Sequence, residues 1–314
     1  MNRRELIITM AGVGATAMLG GCAGVPIRTR NPGGDPLRGP TSRFFTVDGT
    51  RLHYLDWGND GAVPLILLHA APLNARAWDS FAAGMASAYH VIAPDARGFG
   101  ESQWASSYET DIFVNDVNAL VRSLGGKRVI LCGNSMGATV AMAYASSHPD
   151  LLERLVLVDT GPGPRPSADA RPAAPSGGRP GPPPLPPGPF SSRDEATSQL
   201  TALAGPEFAR IVTHENLRQD SAGSWHWKFD HRGTAGGFER SMRDPRRWSR
   251  WLAIRCPTLV VRGGRSPALS QTAAEEMVRA NTNATLVVIP DAGHFVAAEQ
   301  PAAFERAVRD WLRS

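Results

Sequence analysis

The sequence predicts an α/β protein: a mostly parallel central sheet with helices on both faces and an inserted lid. Three observations carry this reading. Unbroken apolar runs recur at residues 64–69, 89–94, 128–133, 155–159, 257–261 and 285–289. Runs of that length read as strands buried on both faces. Segments with helical spacing separate several of them, and strands that alternate with helices imply parallel pairing. Finally, Val129-Ile-Leu-Cys-Gly-Asn-Ser-Met-Gly-Ala138 is an apolar run that stops at a serine between glycines and resumes as an Ala- and Met-rich helical stretch. A strand, a turn too tight for relaxed torsions and a helix would lift the Ser135 hydroxyl clear of the sheet.

The chain of 314 residues is 42% hydrophobic, enough for one large core with an insertion. Its formal charge is +4 and its arginines are scattered, so no nucleic-acid partner is expected. Residues 1–22 open with Arg3-Arg4, continue through an apolar Ala/Gly-rich stretch and end in Leu19-Gly20-Gly21-Cys22. This resembles a bacterial lipoprotein signal, in which Cys22 is lipidated and becomes the mature N-terminus. The expectation is an exported protein on the periplasmic or cell-surface side, anchored to a membrane through Cys22. Residues 23–41, rich in Gly, Pro and Arg, read as a flexible stalk.

The core is expected over 42–160 and 252–314. Residues 43–47 and 51–57 alternate as an antiparallel pair around Asp48-Gly49. Helices are expected at 74–87, 110–124 and 302–313. Between the core segments, residues 161–251 form the inserted lid. Its first part, 161–190, is crowded with proline and glycine and reads as disordered or polyproline-like. The rest, 191–251, reads as helical and aromatic, with Trp225, Trp227, Trp248 and Trp251 suggesting either an apolar substrate pocket or packing within the lid. Cys132 and Cys256 read as small buried hydrophobes, and no Cys/His spacing points to a metal.

Four signatures in order resemble the α/β-hydrolase superfamily over residues 43–314: His69-Ala-Ala-Pro72, Asp95-Ala-Arg-Gly-Phe-Gly-Glu-Ser102, Gly133-Asn-Ser-Met-Gly137 and Asp291-Ala-Gly-His-Phe295. The resemblance implies Ser135 as nucleophile, His294 as its base, and the backbone N–H groups of Ala71 and Met136 as the oxyanion hole. His69 and Arg97 are expected to hold loops in place. The acid is open. The family usually carries it after the strand at 258–262, where this chain has Ser266-Pro267 and no carboxylate. Asp159 at the end of the preceding strand could supply it, Ser266 could orient His294 weakly, or the site could be impaired. The expected activity is hydrolysis of a small ester or lactone through an acyl-serine intermediate, without cofactor or metal. The alternatives are hydrolysis of an activated carbon–carbon bond, or a binding lipoprotein that has lost activity. Haloalkane dehalogenase and epoxide hydrolase chemistry is disfavoured, because those relatives carry an aspartate where Ser135 stands.

Overall fold

The computed structural model describes residues 8–9, 39–165 and 185–314. The expected stalk at 23–41 lies almost wholly outside the described residues, as does most of the proline-rich part of the lid; Cys22, the expected lipidation site, lies outside them altogether. Of residues 1–22, expected to be an export signal outside the core, only β1 (Ile8–Thr9) is described, and it departs from that expectation by adding a parallel strand to the sheet beside Val287 and Val288.

The core begins with the antiparallel pair β2 (Thr41–Val47) and β3 (Thr50–Asp56). There follow β4 (Pro64–Leu68), a 3₁₀ turn at Ala75–Trp78, α1 (Asp79–Met85), β5 (His90–Pro94) and α2 (Thr110–Ser123). Next come β6 (Val129–Asn134), α3 (Met136–Ser147) and β7 (Leu152–Val158). The lid contributes α4 (Arg193–Ala204), α5 (Pro206–Thr213), β8 (Leu217–Gln219), β9 (Trp225–Trp227) and α6 (His231–Met242). After α7 (Arg247–Ala253), the chain closes with β10 (Thr258–Gly263), α8 (Gln271–Ala280), β11 (Ala284–Ile289), α9 (Val296–Glu299) and α10 (Pro301–Arg313).

The described strands other than the β8–β9 hairpin make one sheet, ordered β1-β11-β10-β7-β6-β4-β5-β3-β2. Its pairings are parallel from β1 through β5, and antiparallel where β3 joins β5 and β2 joins β3. Side chains alternate across the sheet, so each apolar strand feeds two cores. Leu65, Leu67, Ile130, Cys132, Val156 and Val158 pack with Phe81 and Met85 of α1 and Phe304 and Val308 of α10. Ile66, Leu68, Val129, Leu131, Leu155 and Leu157 pack on the other side with α2, α3, α7 and α8. The unbroken apolar text of these strands follows from that double burial.

Two further features depart from the sequence reading. Residues 217–227, expected to be helical, form a two-stranded hairpin. Its turn is local chemistry: Gly223 adopts φ 88°, and the Asp220 carboxylate accepts the N–H groups of Ala222 and Ser224, each at 2.9 Å. Helix α8 was not anticipated at all. Only Ala274 and Met277 are buried on it, so its apolar stripe is too thin to stand out.

Candidate active site

The elbow stands where β6 hands over to α3, at the C-terminal ends of the parallel strands. Ser135 has φ 53° and ψ −112°. A left-handed φ costs a non-glycine residue roughly 1–2 kcal/mol, so the surroundings must hold it. They do so partly by leaving no room to relax. A Cβ on Gly133 would collide with the backbone of Gly137, and one on Gly137 with the Leu68 carbonyl. Both flanking positions therefore require glycine. The Ser135 N–H donates to Val158 O at 3.2 Å and the Gly137 N–H to His69 O at 3.1 Å. Met136 is the first residue of α3, so its N–H has no partner within the helix.

His294 lies on the turn between β11 and α9. Its Nδ1 is 2.7 Å from Asp159 Oδ2. Asp159 is fully buried and follows β7 directly, with φ 51°. Three groups converge on its carboxylate: His294, the Gly263 N–H at 3.0 Å on Oδ1, and the Ser266 hydroxyl on Oδ2. A buried carboxylate left unpaired would cost several kcal/mol, and these donors offset that. The imidazole stays 29% exposed, so its other nitrogen can face a substrate. Of the alternatives open in the sequence, the structure puts the carboxylate of Asp159, not Ser266, against the imidazole. Ser266 instead donates to Asp159 and accepts the Ala268 N–H at 3.0 Å.

Two side chains that the sequence reading passed over set the histidine's position. Asn134 Nδ2 donates both to Val158 O at 3.0 Å and to His294 O at 3.2 Å, tying the residue before Ser135 to the histidine turn. Glu299 accepts the N–H groups on either side of His294, from Gly293 at 2.5 Å and Phe295 at 3.0 Å. Asp291 is exposed, and only its carbonyl is engaged, by Gln300 Nε2 at 3.3 Å.

Ala71 lies on the loop after β4. His69 anchors this loop: its Nδ1 donates to Ala70 O and its Nε2 accepts the Ala96 N–H, both at 3.0 Å. Burial pushes the imidazole's pKa below its ordinary 6.5, against the pull of nearby Asp95. It is thus a neutral loop anchor. Arg97 grips Asp116 of α2 through both nitrogens, at 2.7 and 2.5 Å.

The lid tryptophans serve packing. Trp227, Trp248 and Trp251 are buried, and their indole N–H groups donate to the carbonyls of Pro186, Gly163 and Met277 at 2.7, 3.0 and 3.0 Å. An apolar cavity beside the elbow is lined by Phe113, Val117, Met136 and Val140 and by none of the tryptophans. Its free volume of about 40 Å³ admits water rather than an ester. His226 pairs with Asp220 and His231 with Leu185 O, both at 2.8 Å, as lid residues. Among the described residues, Asp56, Asp60 and His90 could bring ligand atoms to one metal. Arg43 already neutralises Asp56 at 2.8 Å, and His90 opens β5, at the N-terminal end of the parallel strands, away from the elbow at their C-terminal ends. Cys132 and Cys256 are buried free thiols, and burial raises the pKa of both. No described helix is long and apolar enough to cross a membrane.

Comparison with known proteins agrees with the geometry. Residues 65–307 match the model of the alpha/beta hydrolase family. A 3-hydroxybutyrate-oligomer hydrolase of Cupriavidus necator is 30% identical over 272 residues, covering 80% of this chain and 89% of its own. An esterase of Mycobacterium tuberculosis is 30% identical over 287 residues, covering 88% and 91%. Among solved structures, an E-2-(acetamidomethylene)succinate hydrolase superposes with a TM-score of 0.74 at 20% identity, covering 88% of this chain and all of its own, a likeness of fold. The chain belongs to the alpha/beta hydrolase family and is an esterase-like hydrolase.

Proposed function

We propose that the protein cleaves a small carboxylic ester or lactone through an acyl intermediate on Ser135. Ser135 Oγ attacks the carbonyl carbon as His294 Nε2 takes its proton. The Asp159 carboxylate holds the imidazole by Nδ1 and stabilises the imidazolium that forms. The Met136 and Ala71 N–H groups face the oxyanion of the tetrahedral intermediate, each worth several kcal/mol in such a site. As the intermediate collapses, the imidazolium gives its proton to the departing alkoxide. Water, activated by the same base, then releases the acid and regenerates Ser135.

The observation that carries this reading is the 2.7 Å contact between His294 Nδ1 and Asp159 Oδ2, held on a turn that Asn134 ties to the elbow. It supports Asp159 as the acid, against the reading of an inactive lipoprotein that the missing carboxylate at Ser266 motivates. The test is labelling with a fluorophosphonate, followed by peptide mapping. The expected result is a single adduct on Ser135 and loss of esterase activity in proportion. A folded protein that stays unlabelled while hydrolysing esters would refute the mechanism. The ester panel should include short 3-hydroxyacid oligomers, since the relative from Cupriavidus necator is named for them.

Export and anchoring through a lipidated Cys22 complete the proposal, supported by the Arg3-Arg4 start, the apolar stretch after it and the Leu19-Gly-Gly-Cys22 text. Metabolic labelling with a fatty-acid analogue should mark the wild type and not Cys22→Ser. Equal labelling of both would remove the anchor.

A further inference from the structure

The geometry points to a positioning role for Asn216: from the lid, its carboxamide sets the direction of the Ala71 N–H in the oxyanion hole. This rests on the acyl-Ser135 reading above. Asn216 is fully buried although it belongs to the lid. Its Nδ2 donates to the carbonyl of Pro72, the residue after Ala71, at 2.8 Å. Its Oδ1 accepts from Asn74 Nδ2 at 3.3 Å, and the same Nδ2 reaches the Glu215 carbonyl at 3.0 Å. Asn74 in turn caps the 3₁₀ turn that leaves the oxyanion loop, accepting the Arg76 N–H at 2.9 Å.

The rest of the loop is held from the core. His69 bonds Ala96, the Leu73 N–H reaches Ala70 O at 2.8 Å, and the Ala75 N–H reaches Asp95 Oδ1 at 2.7 Å. Among these described side-chain bonds, the carbonyl of Pro72 is met only from the lid. Glu215 enters the contact with φ 54°, a left-handed conformation that a glutamate adopts only when its surroundings impose it. The Asn216 carbonyl also accepts the Lys228 N–H at 2.9 Å, so the residue is anchored to the segment that follows the hairpin. Seating the lid and aiming the Ala71 N–H are thus one event. The carboxamide pair is a two-way fit that neither aspartate nor leucine reproduces, because both an N–H donor and an oxygen acceptor are used.

The test uses Asn216→Asp, which keeps the shape and the acceptor but turns an oxygen toward the Pro72 carbonyl, beside Asn216→Ala. On an activated aryl ester, kcat should fall about 10-fold to 100-fold with KM within about twofold, less than the ~10²–10³-fold of losing an oxyanion donor outright. Affinity for a trifluoromethyl ketone, which forms a tetrahedral adduct, should fall by the same factor, while affinity for the product acid should not. A lowered melting temperature with unchanged kcat per folded molecule and unchanged ketone affinity would overturn the proposal. Should both variants fail to fold, hydrogen exchange of the wild type decides. The ketone should slow exchange at 70–75 and 214–218 together, and protection of only one segment would refute the coupling. Ser135→Ala separates this from the parent reading. If it stays fully active, both fall; if it is dead while Asn216→Asp has normal kcat and ketone affinity, only the lid role falls.

Discussion

The molecule holds two groups of serine, histidine and aspartate. On the antiparallel side, Ser42 Oγ lies 2.8 Å from His53 Nε2, and His53 Nδ1 lies 2.7 Å from Asp95 Oδ2. At the ends of the parallel strands, His294 Nδ1 lies at the same 2.7 Å from Asp159 Oδ2, and Ser135 crowns the elbow. The aspartate–histidine contacts match, but the backbones differ. Ser42 sits in an extended strand, in register with Leu55, and the chain runs on as strand to Val47. No helix starts behind it, so no orphan amide is presented beside its hydroxyl. Ser135 is held at left-handed φ with a helix N-terminus directly after it. The His53 side chain is 5% exposed and engaged at both nitrogens, whereas that of His294 is 29% exposed. Asp95 further binds the Ala75 and Glu101 N–H groups. The first group is a clamp between the β2–β3 hairpin and the loops. Access and prearranged N–H donors, more than the order of side chains, separate a site from a strut.

The largest effect expected from breaking this contrast is at Ser135. Ser135→Ala should lower kcat on the order of 10⁶-fold, with a melting temperature close to wild type; residual turnover above one part in about 10³ would place the nucleophile elsewhere. Asp159→Asn should cost about 10⁴-fold in kcat by leaving the imidazole in the wrong tautomer, read by steady-state rates on one ester. Rates within about tenfold of wild type would make Asp159 a structural residue.

At the strut the currency should change from rate to stability. His53→Ala should cost about 2–4 kcal/mol in urea titration, while kcat per folded molecule holds. A selective loss of kcat would erase the distinction. The same region should make the protein acid-sensitive. His69 is buried and neutral, with its pKa pushed below 6.5, so on acidification the unfolded chain takes up a proton before the folded one. Stability should therefore decline from about pH 6.5 down to the depressed folded value. For Asp95, burial alone would raise the pKa, but the His53 hydrogen bond leads the effects that hold it below the usual 3.8. Its contribution is present above that value and lost as pH falls through the folded one. Urea midpoints that stay flat from about pH 7.5 to 5 would contradict the role given to His69. The smallest effect is at Ser42: Ser42→Ala should cost under about 1 kcal/mol and change no rate.

The fold was readable in the text because its signals are local. An unbroken apolar run says that both faces of a strand are covered, and Gly-Asn-Ser-Met-Gly after such a run says where the turn must strain. The hairpin at 217–227 was missed because its tryptophans carry the same apolar weight in a helix or a strand, and the deciding element is a turn built by Asp220 and Gly223. The elbow and the histidine turn could likewise be located as short motifs. For the partner of the histidine the sequence favours Asp159 but leaves Ser266, or no acid at all, open. Asp159 and Ser266 lie 107 residues apart, and nothing in either neighbourhood says that one serves the other.

Residue order alone decided the alternation of strand and helix, the place of the bend and the positions of Ser135 and His294, the two groups proposed to carry the chemistry. Pairing of β7 with β10 decided the rest. It fixes the Asp159 N–H on Val261 O at 2.7 Å, which turns the carboxylate toward His294 and Ser266. Glu299 beneath the histidine turn and Asn216 against Pro72 belong to the same class, since a hydrogen bond across chain segments depends on geometry that neither segment contains by itself.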